Sequence, residues 1–101
     1  MRYRKRLAAS FLLFSFASCA RHSEVHTIKL GHGLPTSHPV HEAMTFLADR
    51  VHEKSNGSLR VDIHPNEQLG TERECIELLQ IGVLGITKVS ASVLEGFVPT
   101  Y

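Results

Sequence analysis

Four small or polar residues follow two predicted strands at positions where a ligand could bind. His32 and Gly33 stand at the carboxyl end of the first strand, and Ser90 and Ser92 come after the third. In an open parallel sheet, ligands bind beyond the carboxyl ends of the strands. A histidine ring and two hydroxyls can donate hydrogen bonds to an organic acid, and a glycine lets a ligand approach the backbone. These four are the predicted ligand-binding residues; the alternatives are that His32 packs locally to fix its loop and that the serines cap a turn.

Seven histidines raise the question of a metal site. His38 and His41 stand near each other at a predicted helix start, and His22 and His26 form a second pair near the N-terminus. Neither pair has a carboxylate at a diagnostic spacing and no H-E-x-x-H motif occurs, so no metal site and no cofactor are predicted. Because the sequence also lacks a nucleophile elbow, a Gly-rich phosphate loop and a carboxylate pair with an adjacent base, no enzymatic activity is predicted.

The N-terminus has the pattern of an export signal. Four of the first six residues are basic, and an apolar run over residues 7–17 follows, ending in small residues. This run is too short to cross a bilayer as a helix, so residues 1–19 are predicted to be a signal peptide rather than a membrane anchor. Residues 16–19, Phe-Ala-Ser-Cys, resemble the lipobox of bacterial lipoproteins, in which Cys19 is acylated. Cleavage after Ala20 by an ordinary signal peptidase stays equally open, and either route exports the chain.

Composition limits the size and the partners of the remaining chain. The 101 residues, 43% hydrophobic and 21% charged, suit one small globular domain. From residue 20 onward there are seven lysine or arginine residues and ten acidic ones. A nucleic-acid surface needs a basic patch, so nucleic acid is not a predicted partner. The membrane is a predicted partner only if Cys19 carries a lipid.

A strand, a turn and a capped helix follow one another in the middle of the chain. Apolar and polar residues alternate over residues 59–64, as expected of a half-buried strand, and a proline ends the alternation. Thr71 and Glu74 have the spacing of a capping box, in which each side chain satisfies a backbone N–H of the other residue. Gly82 is suited to end the helix, and Cys75 on its inner turn is predicted to be a small buried apolar residue.

One further helix and two further strands complete the predicted order. The first strand covers roughly residues 26–32, and Pro39 suits the first turn of the helix that follows. Apolar residues then repeat at helical spacing: Val40, Met44, Leu47 and Val51. The third strand is predicted over residues 83–89, where Gly85 and Lys88 interrupt a segment that should be buried on both faces. The order βαβαβ favours an α/β fold with a parallel sheet.

The central stretch also resembles a known family. A Pro-Asn-x-Gln-Leu-Gly-x-Glu run after a short strand, followed by a helix that ends in Leu-Gln-x-Gly, is similar to the solute receptors of tripartite ATP-independent periplasmic (TRAP) transporters, the DctP-like family. The residues that carry this resemblance are Pro65, Asn66, Gln68, Leu69, Gly70, Glu72, Leu79, Gln80 and Gly82. The similarity covers about residues 27–99, nearly all of the chain after the signal peptide.

The resemblance implies both a fold and a function. The fold would be the βαβαβ start of the first lobe of a periplasmic-binding-protein (type II-like) architecture, in which the ligand lies in a cleft between two lobes. The loops at residues 31–33 and 90–92 would line that cleft. The ligand would be a small organic acid, dicarboxylate-like, and the partners would be the membrane permease subunits of a TRAP transporter. The protein would act in the periplasm without catalysis.

Members of this family continue for several times the present length. The arginine that grips the ligand carboxylate in the family lies beyond Tyr101, so no residue here is assigned that role. We therefore expect a polar tether at residues 20–26 and an incomplete N-terminal lobe at residues 27–101. Two alternatives stay open: a truncated, exported remnant that binds no ligand, and a His-rich periplasmic metal binder.

Overall fold

A computed structural model describes residues 24–98 of the chain. The elements in order are β1 (His26–Gly31), α1 (Pro39–Lys54), β2 (Leu59–His64), α2 (Glu72–Gln80), β3 (Ile86–Thr87) and α3 (Ala91–Leu94). The predicted signal peptide, Cys19 and His22 lie outside the described residues. Between residues 24 and 98, none of the helices has the length and apolar character needed to span a bilayer.

β1 lies at the centre of the parallel sheet that residues 24–98 form, with the strands in the order β2-β1-β3. It pairs with β2 along the whole strand, from His26 opposite Leu59 to Gly31 opposite His64. β3 pairs only with the last two residues of β1. The predicted α/β class and βαβαβ order are confirmed.

α1 begins where the sequence predicts, at Pro39. His38 caps it, because its Nδ1 accepts a hydrogen bond from the backbone N–H of Val40 at 3.1 Å. After the last turn, Asn56 and Gly57 take positive φ angles of 51° and 78°. This left-handed backbone ends the helix.

The apolar stripe of α1 is only partly covered. Val40, Met44 and Val51 are half-buried, Leu47 is 36% exposed, and no residue of the helix is fully buried. Phe46 is 67% exposed. The helix packs against β2 and still leaves large apolar side chains at the surface of the described residues.

The predicted capping box of α2 is present. The Glu74 N–H donates to Thr71 Oγ1 at 3.3 Å, and the Thr71 N–H donates to Glu74 Oε2 at 2.8 Å. Two of the four N–H groups that a helix start leaves without a partner are thereby satisfied. Gly82 follows the helix with a φ of 80°, as predicted for its C-terminal end.

The core is small, and its apolar members among the described residues are Leu30, Val61, Cys75, Ile76 and Leu84. Cys75 is 2% exposed, and burial raises the pKa of its thiol. It is therefore a neutral, apolar core residue, as predicted. Gly31 makes room for it, because a Cβ at that position would lie 3.2 Å from the Cys75 Sγ.

The third strand is much shorter than predicted. The sequence favours a strand over residues 83–89, but only Ile86–Thr87 pair as one. The prediction is wrong at its start because Val83 and Leu84 donate their N–H groups to the carbonyl oxygen of Leu78, at 3.0 and 3.2 Å. These bonds belong to the end of α2, so the same amides cannot also pair with β1.

Gly85 lies where the chain that enters β3 passes close to β1. A Cβ at this position would lie 2.6 Å from Cγ2 of Ile28, closer than packed carbon atoms approach. We expect Gly85→Ala to lower the free energy of unfolding by about 1–3 kcal/mol, measured by urea denaturation. The matched control is Gly96→Ala, whose Cβ would meet Arg73 Nη1 at 3.4 Å. Equal effects of the two substitutions would contradict the proposed crowding at Ile28.

Candidate functional site

The carboxyl ends of the three strands are tied together by hydrogen bonds. The backbone N–H of His32 donates to the His64 carbonyl at 3.1 Å, which extends the β1–β2 pairing by one residue. On the other side, Thr87 Oγ1 donates to the Gly31 carbonyl at 3.0 Å. The loops that follow the strands therefore begin close together, where parallel α/β sheets bind ligands. We define the carboxyl-end site as His32, Gly33, His41, Glu72, Lys88, Ser90 and Ser92.

His32 is buried in this site, with 1% of its surface exposed. Its Nδ1 accepts a hydrogen bond from the backbone N–H of Leu34 at 3.2 Å, and its Nε2 lies 3.0 Å from Nδ1 of His41. The two imidazole rings are tilted by 54°, with centroids 5.3 Å apart. Both ring nitrogens of His32 are thus engaged within the protein, and the ring holds the loop against the start of α1.

The turn after β2 packs on the loop after β1. The N–H groups of Asn66 and Glu67 donate to the carbonyls of Leu34 and His32, at 3.0 and 3.2 Å. Asn66 and Glu67 both have positive φ, 57° and 56°, a conformation that is costly for glutamate. A Cβ on Gly33 would lie 3.2 Å from Cγ of Glu67. The side chain of Glu67 therefore covers the face of Gly33 on which a Cβ would lie.

The charge of His32 is set by its surroundings. Burial lowers the pKa of the imidazole, and the nearby His41, Lys88 and His38 lower it further. Protonation would also turn Nδ1 into a donor facing the Leu34 N–H, which is itself a donor. His32 is therefore a neutral imidazole at neutral pH.

Glu72, at the start of α2, holds the loop that follows β3. Its Oε1 accepts a hydrogen bond from Lys88 Nζ at 3.2 Å, and its Oε2 accepts one from the Ser90 backbone N–H at 3.1 Å. Burial alone would raise the pKa of this carboxyl, but the hydrogen bonds from Ser90 and the ammonium of Lys88 outweigh it and lower the pKa. Lys88 therefore lies just after β3 rather than inside a buried strand, and its side chain pairs with Glu72.

Ser90 and Ser92 are exposed beside this ion pair. Ser90 precedes α3, but its hydroxyl makes no capping hydrogen bond to that helix. The structure therefore brings His32, Gly33 and Ser90 to one edge of the sheet. Their part in binding a ligand stays a prediction.

Sequence reasoning did not assign His41, Glu72 or Lys88 to this site. In the sequence, His41 stands out only as half of a histidine pair, and Lys88 only as a misfit in a strand. The contacts that define their roles join residues 9 and 16 positions apart, so no local pattern reveals them.

Among residues 24–98, no three His, Cys, Asp or Glu side chains come together in a way that could hold a metal ion. The two histidines at the start of α1 have other hydrogen-bond partners. Nδ1 of His38 accepts a hydrogen bond from the Val40 N–H, and Nδ1 of His41 faces His32.

Two surface grooves lie away from the carboxyl-end site. One, of about 400 Å³, runs along α2 and is lined by Leu69, Gly70, Glu74, Glu77, Leu78 and Ile81. The other, of about 490 Å³, lies at the last turns of α1 and is lined by Leu47, Arg50, Val51, Lys54, Ser55 and Leu59. Neither groove includes a residue of the carboxyl-end site.

Residues 30–101 match the family model of the bacterial extracellular solute-binding proteins, family 7, named DctP. The chain therefore belongs to this family, and the resemblance found in its sequence is confirmed. It is 42% identical over 93 residues to the uncharacterized protein YiiZ of Salmonella typhimurium, a match that covers 92% of this chain and 28% of YiiZ.

Solved structures of TRAP periplasmic solute binding proteins have the same fold over this region. One from Pseudomonas putida F1, with bound D-glucuronate, superimposes with a TM-score of 0.71 at 30% identity, covering 73% of this chain and 24% of that protein. One from Sulfurospirillum deleyianum, with bound succinate, gives 0.69 at 33% identity, covering 75% and 24%. The chain thus spans about a quarter of the length of the proteins it matches.

The neutral state of His32 predicts a pH dependence of stability. Because its pKa in the folded protein lies below the ordinary 6.5, the unfolded chain binds a proton that the folded chain resists. We expect the free energy of unfolding to be fully retained above pH 6.5 and to fall as the pH is lowered below it, by up to about 1.4 kcal/mol per pH unit for this one proton.

Urea denaturation between pH 7.5 and 5 measures this dependence. The window lies above the range in which the carboxyls of Glu72 and Glu74, with lowered pKa values, take up protons. His32→Gln should flatten the slope, and His52→Gln, on the exposed end of α1, should not. An NMR titration in which the His32 ring protonates at or above pH 6.5 would contradict the prediction.

Glu72→Gln tests the tie between α2 and the loop after β3. Glutamine offers one acceptor oxygen and no charge, so it cannot hold both Lys88 and Ser90. We expect the Ser90 amide to exchange faster with solvent and the free energy of unfolding to fall by about 0.5–1.5 kcal/mol, because the pair is partly exposed. The control is Glu77→Gln on the same helix, where the carboxylate pairs with Arg73 at the surface. Unchanged exchange at Ser90 would show that Glu72 does not hold this loop.

Proposed function

We propose that this chain contains the first-lobe part of an extracytoplasmic solute receptor of a TRAP transporter, which binds a small organic acid for transport across the membrane. The observation that carries the proposal is the match of residues 30–101 to the solute-binding family, on a sheet whose carboxyl end collects polar donors. Two structural neighbours were solved with acids, D-glucuronate and succinate. We take a carboxylate of this class, dicarboxylate-like, as the ligand.

The proposed ligand contacts come from the two loops at the carboxyl-end site. Ser92 is exposed and offers a hydroxyl donor to a carboxylate, and the exposed Ser90 would offer its hydroxyl in place of a hydrogen bond to Glu72. His32 is buried, so it would act through the loop that it fixes, and Gly33 would contribute backbone rather than an open face. Polar donors held in place before the ligand arrives cost less to order on binding, which favours affinity.

Charge at the site also suits an acid. The backbone N–H of Lys88 donates to the Gly31 carbonyl at 3.4 Å, next to the loop after β1, and the Lys88 ammonium contributes to the lowered pKa of His32. Glu72 compensates this charge only from one side, through Oε1. An incoming carboxylate would therefore approach a region with a neutral His32 ring and a cation that Glu72 partly compensates.

Export and partners complete the proposal. Residues 1–19 would direct the chain to the periplasm, followed by a tether at residues 20–26 and the lobe at residues 27–101. Cys19 would carry a lipid or be removed with cleavage after Ala20, and intact-mass measurement of the exported chain distinguishes the two. The membrane permease subunits of a TRAP transporter would receive the solute, and no reaction would be catalysed.

Titration of the ¹⁵N-labelled chain with succinate and with D-glucuronate tests binding. We expect amide shifts in the loops at residues 31–34 and 88–92, because these carry the proposed donors. Ser90→Ala and Ser92→Ala should each weaken the affinity by about fivefold to tenfold, the effect of losing one hydrogen bond. Thr27→Ala, an exposed hydroxyl near the amino end of β1, should leave the affinity unchanged.

D-glucose serves as the uncharged counterpart of D-glucuronate and should cause no shifts. If neither acid perturbs the spectrum at millimolar concentration, the chain does not bind by itself. The alternative of an exported polypeptide without ligand binding would then be the better description.

A further inference from the structure

We propose that His41 presents the N–H that meets the ligand carboxylate, and that His32 is the positioning residue that fixes the His41 ring for this task. The inference rests on the proposed function, because it names one donor of that same site. It differs from the sequence-based expectation, in which His32 itself contacts the ligand.

A chain of three hydrogen-bonding groups sets the positions of the ring protons. The backbone N–H of Leu34 donates to Nδ1 of His32 at 3.2 Å, so this nitrogen carries no proton. Neutral His32 therefore has its proton on Nε2. His32 Nε2 lies 3.0 Å from Nδ1 of His41, so this Nδ1 must accept a hydrogen bond from the His32 N–H. The proton of neutral His41 is consequently on its outer nitrogen, Nε2.

The outer nitrogen of His41 faces solvent. The ring is half-buried, and within residues 24–98 its side chain is hydrogen-bonded only to His32. Within residues 24–98, Nε2 of His41 is not among the buried nitrogen and oxygen atoms that lack a partner, so part of its surface is exposed. His41 therefore offers a donor of fixed direction to a molecule that arrives from solvent.

The groups around this donor favour an anion. His32 lies behind it as a neutral ring, and His38 lies on the preceding turn with its Nδ1 used in capping α1. Lys88, directly after β3, is paired with Glu72. None of the ion pairs within residues 24–98 involves His41, so no neighbouring carboxylate of the described part already occupies its N–H. A ligand carboxylate can accept from Nε2 without displacing a protein group.

The first test reads the protons directly, on the full chain without ligand. Long-range ¹H–¹⁵N NMR spectra of the histidine rings distinguish the tautomers. We expect His32 and His41 both to carry the proton on Nε2. His32→Phe should remove the bond and leave His41 as a mixture of tautomers, a change that loss of packing alone would not cause. A proton on Nδ1 of either residue in the unaltered chain would overturn the inference, whether or not His32→Phe folds.

The second test measures binding of succinate and D-glucuronate. His41→Phe keeps an aromatic ring but removes the N–H, and we expect it to weaken the affinity by about tenfold or more. His52→Phe, an exposed histidine at the far end of the same helix, is the matched control and should bind like the unaltered chain. During titration, Nε2 of His41 should also shift more than any nitrogen of His52.

The outcomes separate this inference from the proposed function. Binding by the unaltered chain with loss in His41→Phe supports both. Equal binding by the unaltered chain and His41→Phe overturns the role of His41 and leaves the receptor proposal standing. No binding of either acid by the unaltered chain overturns the receptor proposal and, with it, the assignment of His41 as a ligand donor.

Discussion

The close approach at the end of β1 is the constraint on which the other elements depend. β1 pairs along both of its edges, and its last residue, Gly31, has no side chain. A Cβ there would lie 3.2 Å from the Cys75 Sγ and 3.5 Å from Cδ2 of Leu84. The missing atoms let α2 and the segment entering β3 lie directly on β1, at the packing density of a protein interior. The Gly31 carbonyl also accepts a hydrogen bond from the Thr87 hydroxyl, so β1 and β3 end side by side.

After the last residues of β1 and β3, the chain is held in place by side-chain hydrogen bonds rather than by strand pairing. His32 binds the loop after β1 to the start of α1, and Glu72 binds the loop after β3 to the start of α2. The turn after β2 is held by the carbonyls of Leu34 and His32. Each loop thus has a polar anchor on another element. Such anchors order a binding surface in advance, which reduces the entropy that a ligand must overcome.

The parts of this fold that the sequence predicted correctly are those set by neighbouring residues. The capping box of Thr71 and Glu74, the start of α1 at Pro39 and the end of α2 at Gly82 all depend on groups within four positions of one another. Their residue types therefore carry the signal. The alternation in β2 is similarly local, because its period follows from the backbone geometry of a strand.

The sequence-based predictions failed where two secondary-structure elements compete for the same backbone groups or where residues distant in sequence meet. Val83 and Leu84 have the residue types of a strand, but the end of α2 uses their N–H groups. Likewise, His32 has the character of a ligand-binding residue until its partners are known. Leu34 and His41 take both of its nitrogens, and only the folded chain brings His41 close. The family resemblance pointed to the loops at residues 31–33 and 90–92 but held no information about these contacts.

The pairing of Lys88 with Glu72 determines which groups remain to recognise an acid. Glu72 holds Lys88 through one oxygen and the Ser90 backbone through the other. A ligand that took Lys88 from Glu72 would leave a partly buried carboxylate without its cation and would loosen the loop carrying Ser90. In the proposed receptor, Lys88 would therefore act on a ligand mainly through its electric field, which solvent and Glu72 weaken. Direct recognition would then be left to the His41 N–H and the serine hydroxyls. Because such donors discriminate by the placement of acceptor oxygens rather than by net charge, this side of the site would select an acid by shape.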